Sequence, residues 1–186
     1  MATEPARRLF TIDVYHRMAD AGVLTEDDRV ELLDGEIVQM TPIGSRHASV
    51  VDWLSRLLVE RLGRRAHVRI QNPVILNDLS EPEPDVAVCE LRDDRYVHAH
   101  PRPADILLLI EVPQTSGRYD RERKIPAYAA AGVPEVWLVD LERNTIEVYR
   151  EPSQDGYTEV RSFGRADAVS PSRFPDCMIA VDEILG

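Results

Sequence analysis

Ile106-Leu107-Leu108-Leu109-Ile110-Glu111-Val112 decides the fold. Five consecutive aliphatic residues bounded by Pro103 and Asp105 on one side and Pro113 on the other read as a strand over about 105–112. Glu111 interrupts the run, and burying a carboxylate without a partner is costly. It must therefore sit at a strand end or be buried and paired. Working backwards, apolar and β-branched stretches at about 85–90 and 66–76 predict two further strands. Before them, Ser45 is expected to cap a helix running to Leu62, with a stripe of His47, Val51, Leu54 and Leu58 and a stop at Gly63. Working forwards, a helix is expected over 118–131, stopped by Gly132 and Pro134, followed by the short buried strand Val136–Asp140. From Ser45 to Asp140 the order is helix, three strands, helix, strand. That order predicts a mixed sheet sandwiched by helices, an α/β or α+β layer architecture.

Smaller elements flank this core. Thr11 can cap a helix carrying Ile12, Tyr15, Met18 and Ala19, closed by Gly22. Val30–Leu33 and Glu36–Met40 flank Asp34-Gly35, a strong hairpin turn because both central positions need positive φ. Thr145–Arg150 returns from the 136–140 strand through Leu141–Asn144. Beyond it lie a strand near 157–163, a loop with two prolines at 170–175 and an apolar segment at 178–181. Pro126 lacks the N–H that would bond to the carbonyl of Glu122, so the 118–131 helix should kink or start late.

With 186 residues, 44% of them apolar, the chain is expected to form one domain over 1–186. No apolar run is long enough to span a bilayer, and Met1–Arg8 lacks the apolar stretch of a secretion signal. The expected location is cytoplasmic, with no membrane partner. Cys89 and Cys177 show neither disulfide nor metal-ligand spacing. The net charge of −11 argues against a broad nucleic-acid-binding face. Bound divalent cations and local clusters of basic residues counter that argument. Arg61, Arg64, Arg65 and Arg69 form one such cluster, and Arg118, Arg121, Arg123 and Lys124 another. The structural alternative for each is a solvated face.

Lys124 is the only lysine, against 21 arginines. Lysine offers a compact point charge with a tunable pKa, where arginine is a planar, permanently charged fork. It follows two acids, Asp85 after Glu81-Pro82-Glu83-Pro84 and Glu111 at the end of the aliphatic run. Short links between the three strands favour antiparallel pairing, which puts Asp85 and Glu111 at one end of the sheet. Residue 98, midway between them, falls in the middle of the connecting loop, so a symmetric hairpin sets the acids opposite each other. Opposed side chains have Cβ atoms about 4.5–5.5 Å apart. Two carboxylates that close call for a shared cation or proton. Mg²⁺, or Mn²⁺, would suit Asp85, Glu111 and a carbonyl such as that of Val112, with waters and phosphate oxygens completing the shell. Acid, acid and lysine together suit phosphodiester cleavage.

Structural alternatives stand beside each of these residues. Asp85 could simply cap a turn, Glu111 could be an exposed strand end, and Lys124 could form a surface pair with Asp120 four residues earlier. His47 reads first as a packed helix-end histidine. Glu31 and Glu36 read as polar hairpin positions, and His98 and His100 are weak as a metal signal. No Gly-rich phosphate loop, nucleophile elbow or zinc-protease helix is present.

Five stretches carry a resemblance: Glu31–Met40 (ELLDGEIVQM), Glu83–Val88 (EPDVAV), Leu109–Val112 (LIEV), Tyr119–Lys124 (YDRERK) and Tyr128–Asp140 (YAAAGVPEVWLVD). On these the chain resembles the Uma-type family of restriction endonucleases, a domain of unknown function within the PD-(D/E)XK nuclease superfamily. The resemblance implies a core of helix, three strands, helix and strand. It makes Pro84-Asp85 the PD element and Glu111 the second acid. Pro113 stands where the superfamily pattern puts lysine, and the resemblance implies that this role has moved to Lys124. It leaves the first-helix acid open between the helix that begins with His47 and Glu31 of the preceding hairpin; Glu31, His47 and Asp120 are second-tier candidates for supporting the site.

The expected function is Mg²⁺-dependent endonucleolytic cleavage of DNA, with Asp85 and Glu111 holding the metal and Lys124 acting on water or phosphate. An alternative of a different class is an idle nuclease fold acting as a binding or regulatory module, with a homodimer as one form open to it. A glycosidase using Asp85 and Glu111 as its acid pair is disfavoured by the neighbouring lysine and by an aromatic content of 6%.

Overall fold

A computed structural model describes residues 7–25, 27–113 and 117–186. Most of Met1–Arg8, read above for a secretion signal, therefore lies outside the described residues. Helix α1 (Ile12–Asp20) starts at Thr11, whose hydroxyl oxygen accepts the Val14 N–H. Strands β1 (Val30–Leu33) and β2 (Glu36–Gln39) form the expected hairpin, with φ of 52° at Asp34 and 75° at Gly35. A Cβ on Gly35 would lie 2.6 Å from the Cβ of Leu9, so the chain before α1 packs directly on this turn. Helix α2 (Ser45–Leu62) buries His47, Val50, Val51, Leu54, Leu57, Leu58 and Leu62. Its cap is Gly44, which brings no side chain of its own, and Ser45 is the first helical residue.

Strands β3 (His67–Ile70), β4 (Val86–Cys89) and β5 (Ile106–Glu111) follow. The first is shorter than the expected 66–76, because Gln71 turns to positive φ (48°) and the Asn72 side chain donates to the Ile70 carbonyl. Pro73 then prevents any return to a continuous ladder. The chain from 71 to 85 is tied down instead by backbone bonds from Val74 N–H to Pro82 O and from Glu81 N–H to Leu32 O. The second bond lashes the hairpin to the segment leading into Asp85.

A π-helical turn (Asp120–Lys124) leads into α3 (Ile125–Ala130) and then β6 (Glu135–Asp140). The Ile125 N–H reaches the Asp120 carbonyl, one residue farther than in an α-helix. Pro126 then falls in the first turn of α3, where a missing N–H costs nothing. The long helix expected over 118–131 is thus two pieces in different registers. Strands β7 (Thr145–Ser153) and β8 (Gly156–Phe163) complete a sheet of order β3-β4-β5-β6-β7-β8. All its pairings are antiparallel except β5–β6. That parallel pair is what the crossover through α3 permits. Strand β9 (Ala168–Val169) pairs with β10 (Ile179–Ala180), and α4 (Val181–Leu185) closes the described fold.

Alternation along the strands divides the core in two. Val86, Val88, Leu108, Ile110, Trp137 and Val139 pack with α2 and α4, while Ala87, Cys89, Leu109, Val136 and Leu138 pack with Ile125 and Tyr128 of α3. Both cysteines are free and buried. Among the described residues, no helix is long and apolar enough to cross a membrane.

Candidate functional site

The pairing Val86↔Ile110, Ala87↔Leu109, Val88↔Leu108 continues by one step to Asp85 and Glu111. These two acids therefore leave adjacent strands at the same end of the sheet. Asp85 Oδ2 accepts the Val112 N–H at 2.8 Å, which locks the two strand ends together. Asp85 Oδ1 lies 3.1 Å from His47 Nε2 and accepts a weak bond from Gln71 Nε2 at 3.4 Å. The His47 contact is ionic in distance but not aligned as a hydrogen bond. His47 Nδ1 lies 2.6 Å from the Val112 carbonyl, which can only accept, so this nitrogen carries a proton.

Glu111 is 3% exposed, and its Oε1 accepts from the Tyr128 hydroxyl at 2.5 Å and forms an ion pair with Lys124 Nζ at 2.9 Å. Lys124 is equally deep, 5% exposed. Its ammonium also contacts Glu31 Oε2 at 3.3 Å and the Glu83 carbonyl at 3.2 Å. The ammonium is thus hydrogen-bonded to one carbonyl and ion-paired with two carboxylates. A planar guanidinium could not satisfy that arrangement from the same stem.

Each partner arrives by an identifiable route. Glu31 sits on β1, which the Leu32–Glu81 bridge holds beside the Glu83–Asp85 segment, and its Oε2 accepts the Glu83 N–H at 3.0 Å. Lys124 ends the π turn and Tyr128 lies one turn into α3, so both reach toward β5. His47 stands in the first turn of α2. The result is a cleft of about 200 Å³ whose lining includes Glu31, His47, Glu83, Asp85, Glu111, Val112, Asp120 and Lys124.

The electrostatics are those of too many acids around too few cations. Burial, with Asp120 and Asp85 adding to it, pushes the Glu111 carboxyl up to about 8 despite Lys124. Burial likewise raises Asp120, where Asp85 and Glu31 add repulsion, and Glu83, where Glu31 and Asp85 do the same. Burial alone would lower Lys124, but Glu111, Tyr128, Glu31 and Asp120 hold it well above its ordinary value. The imidazole of His47 is also pulled down by burial, and the Asp85 carboxylate and Val112 carbonyl more than offset this. Lys124 is thus held as a cation, His47 is biased toward its protonated form, and Glu111, Asp120 and Glu83 resist ionisation.

The structure changes several expectations. Lys124 is no surface pair with Asp120, because the wider π register turns it inward onto Glu31 and Glu111. Asp120 lines the cleft instead. Glu36 lies outside it, bonded to Arg7 and Arg123. The two arginine clusters are largely spent on internal partners. Arg61 binds Glu183, Arg65 binds Asp176, Arg118 binds Glu122, and Arg121 binds Asp140 and Glu147. Sequence reading left out Glu83, Gln71 and Arg29, all in the cleft lining. Period-two spacing could have found Arg29, since it and Glu31 share one face of an extended chain. Nothing local flags Glu83, which contributes its main chain.

A mixed sheet with helices packed on it and two acids and a lysine at one strand end defines the nuclease-like class of fold. The family model described as "Putative restriction endonuclease" (Uma2) matches residues 12–182, and the chain belongs to that family. The chain is similar to the crystal structure of a "putative nuclease" of DUF820 from Anabaena variabilis. The TM-score is 0.75 and the identity 18%, over 95% of this chain and 97% of that one. No curated protein matches.

Proposed function

We propose that this protein hydrolyses phosphodiester bonds of DNA in a reaction that depends on Mg²⁺ or Mn²⁺. One observation carries the reading: the only lysine in the chain lies buried against Glu111, across the strand end from Asp85, on the floor of an open cleft. A purely structural ion pair would not need a cleft lined by four further carboxylates beside Glu111. Family membership supports the same class of reaction.

The donors suit a hard ion that keeps most of its waters. Asp85, Glu111 and the Val112 carbonyl would hold it, the carbonyl having a second lone pair beside the one facing His47. Among the described residues, no three His, Cys, Asp or Glu side chains are grouped to hold a metal by themselves. That disfavours a closed cage of zinc type and leaves the few-ligand arrangement typical of magnesium. When bound, the ion acidifies water and offsets charge on the phosphate.

The chain's own groups would do the rest. Lys124, held protonated, donates toward charge developing on the phosphate or orients the attacking water. Glu31 and the Glu83 carbonyl aim the ammonium, and Tyr128 fixes the Glu111 rotamer. His47 holds the Val112 carbonyl and faces Asp85, setting the orientation of two donors.

Plasmid nicking with and without Mg²⁺ tests the proposal, with Asp85→Ala, Glu111→Ala and Lys124→Arg alongside. The expected result is metal-dependent nicking lost in all three. Activity surviving all three variants would reject the assignment. The idle-module reading is favoured by the net charge of −11 and by the internal pairing of the arginines. A folded protein that neither binds Mn²⁺ nor nicks DNA would favour it over the hydrolase.

A further inference from the structure

We infer that Arg29 is a phosphate-binding residue, which grips the backbone of the nucleic-acid strand beside the acid-lined cleft. This deepens the hydrolase proposed above and rests on it. Arg29 is half-buried and lines both that cleft and the adjoining groove formed with the 39–43 segment. Its main chain is fixed, because the Arg29 carbonyl accepts the Met40 N–H one step beyond the Val30↔Gln39 pair that ends the hairpin. Among the described residues, its guanidinium makes no hydrogen bond or ion pair.

That sets it apart from arginines such as Arg121, Arg123 and Arg150, each bonded to carboxylates. A half-buried guanidinium with no carboxylate in hydrogen-bond or ion-pair contact, its field easing the ionisation of Glu83, is a cation open to an incoming anion. An entering phosphodiester needs such a group. The cleft is otherwise rich in carboxylates, and the charge of Lys124 is shared with Glu31 and Glu111. Arginine suits a phosphate better than lysine would, since its parallel N–H groups match two phosphate oxygens. Beyond Arg29 the groove offers Met40, Pro42 and Ile43 as apolar surface, Gln39 and Thr41 as polar contacts and one acid, Asp27, a mixed lining that can meet the base and sugar of a nucleoside.

The test is fluorescence anisotropy with a labelled ten-nucleotide oligothymidylate in Ca²⁺, comparing the intact protein, Arg29→Ala and Arg29→Lys over a range of salt. Arg29→Ala should bind about tenfold or more weakly, with a salt slope shallower by about one, and Arg29→Lys should fall between. The thermal midpoint of Arg29→Ala should stay close to that of the intact protein, because the side chain makes no hydrogen bond or ion pair among the described residues, and its Mn²⁺ affinity should not fall. Unchanged oligonucleotide affinity in Arg29→Ala overturns the inference even if the intact protein nicks DNA. Lost affinity in a protein that never nicks supports the phosphate site and removes the hydrolase. An intact protein that binds no oligonucleotide removes the phosphate site, whatever the nicking assay returns.

Discussion

Lys124 stays charged while buried because two carboxylates and a carbonyl oxygen surround its ammonium. Removing one partner of a buried ion pair typically costs about 3–5 kcal/mol, since the remaining charge is left unpaired. Lys124→Met should therefore lower unfolding free energy in urea by roughly that amount, and Lys124→Arg should also destabilise, because the fork cannot follow the same three directions. The titrations give a second expectation. Glu111 is raised to about 8, and Asp120, Glu83 and His47 are raised as well, so the folded state holds protons that the unfolded chain releases. Their stabilising contribution is full at low pH and is lost as pH rises toward 8. Asp28, Glu36, Asp94, Asp140 and Glu147 are lowered and act oppositely, losing stability as pH falls below about 4.5. Metal-free protein should then melt highest near about pH 5 and lower at pH 8. Mg²⁺ should restore most of the loss, and Glu111→Gln should flatten the decline. A midpoint that rises steadily from pH 5 to 8 without metal would contradict this electrostatic account.

At the scale of elements, the site depends on pieces whose positions come from local backbone chemistry. The hairpin carries Glu31, and its turn needs positive φ at Gly35 with no room for a Cβ beside Leu9. Gly35→Ala should cost about 1–3 kcal/mol in urea unfolding, whereas a change within a few tenths would show that the packing against Leu9 is slack. Much of this level was legible in the sequence. Asp34-Gly35 announced its hairpin, the midpoint at residue 98 anticipated the Val86↔Ile110 register, and the aliphatic run marked β5. The end of β3 was not legible, because the apolar pattern of 66–76 continues past the residue where φ changes sign at Gln71. Pro126 warned of trouble in the following helix but not of its form. A π turn leaves no pattern of its own, yet it is what turns Lys124 inward. Glu31 and Lys124 meet across 93 positions through a hairpin pinned by one main-chain bridge, and such a contact has no periodicity to read.

The whole molecule sets acidic charge against an anionic substrate. With a net charge of −11 and most of the clustered arginines answered by internal carboxylates, little free positive field is left to draw DNA in. Binding should therefore depend on the divalent ion. In chelator, lowering the salt should recover little affinity, and adding Ca²⁺ at constant ionic strength should recover much more; anisotropy against a labelled duplex checks this. Tight binding in chelator would instead point to a basic face elsewhere on the molecule. All of it turns on Asp85 and Glu111 sharing one cation beneath Lys124. The most direct measurement is an anomalous difference map from crystals soaked in Mn²⁺. A single strong peak within bonding distance of Asp85, Glu111 and the Val112 carbonyl is the predicted result. A peak elsewhere, or none at saturating Mn²⁺ with the Lys124–Glu111 contact intact, would contradict it.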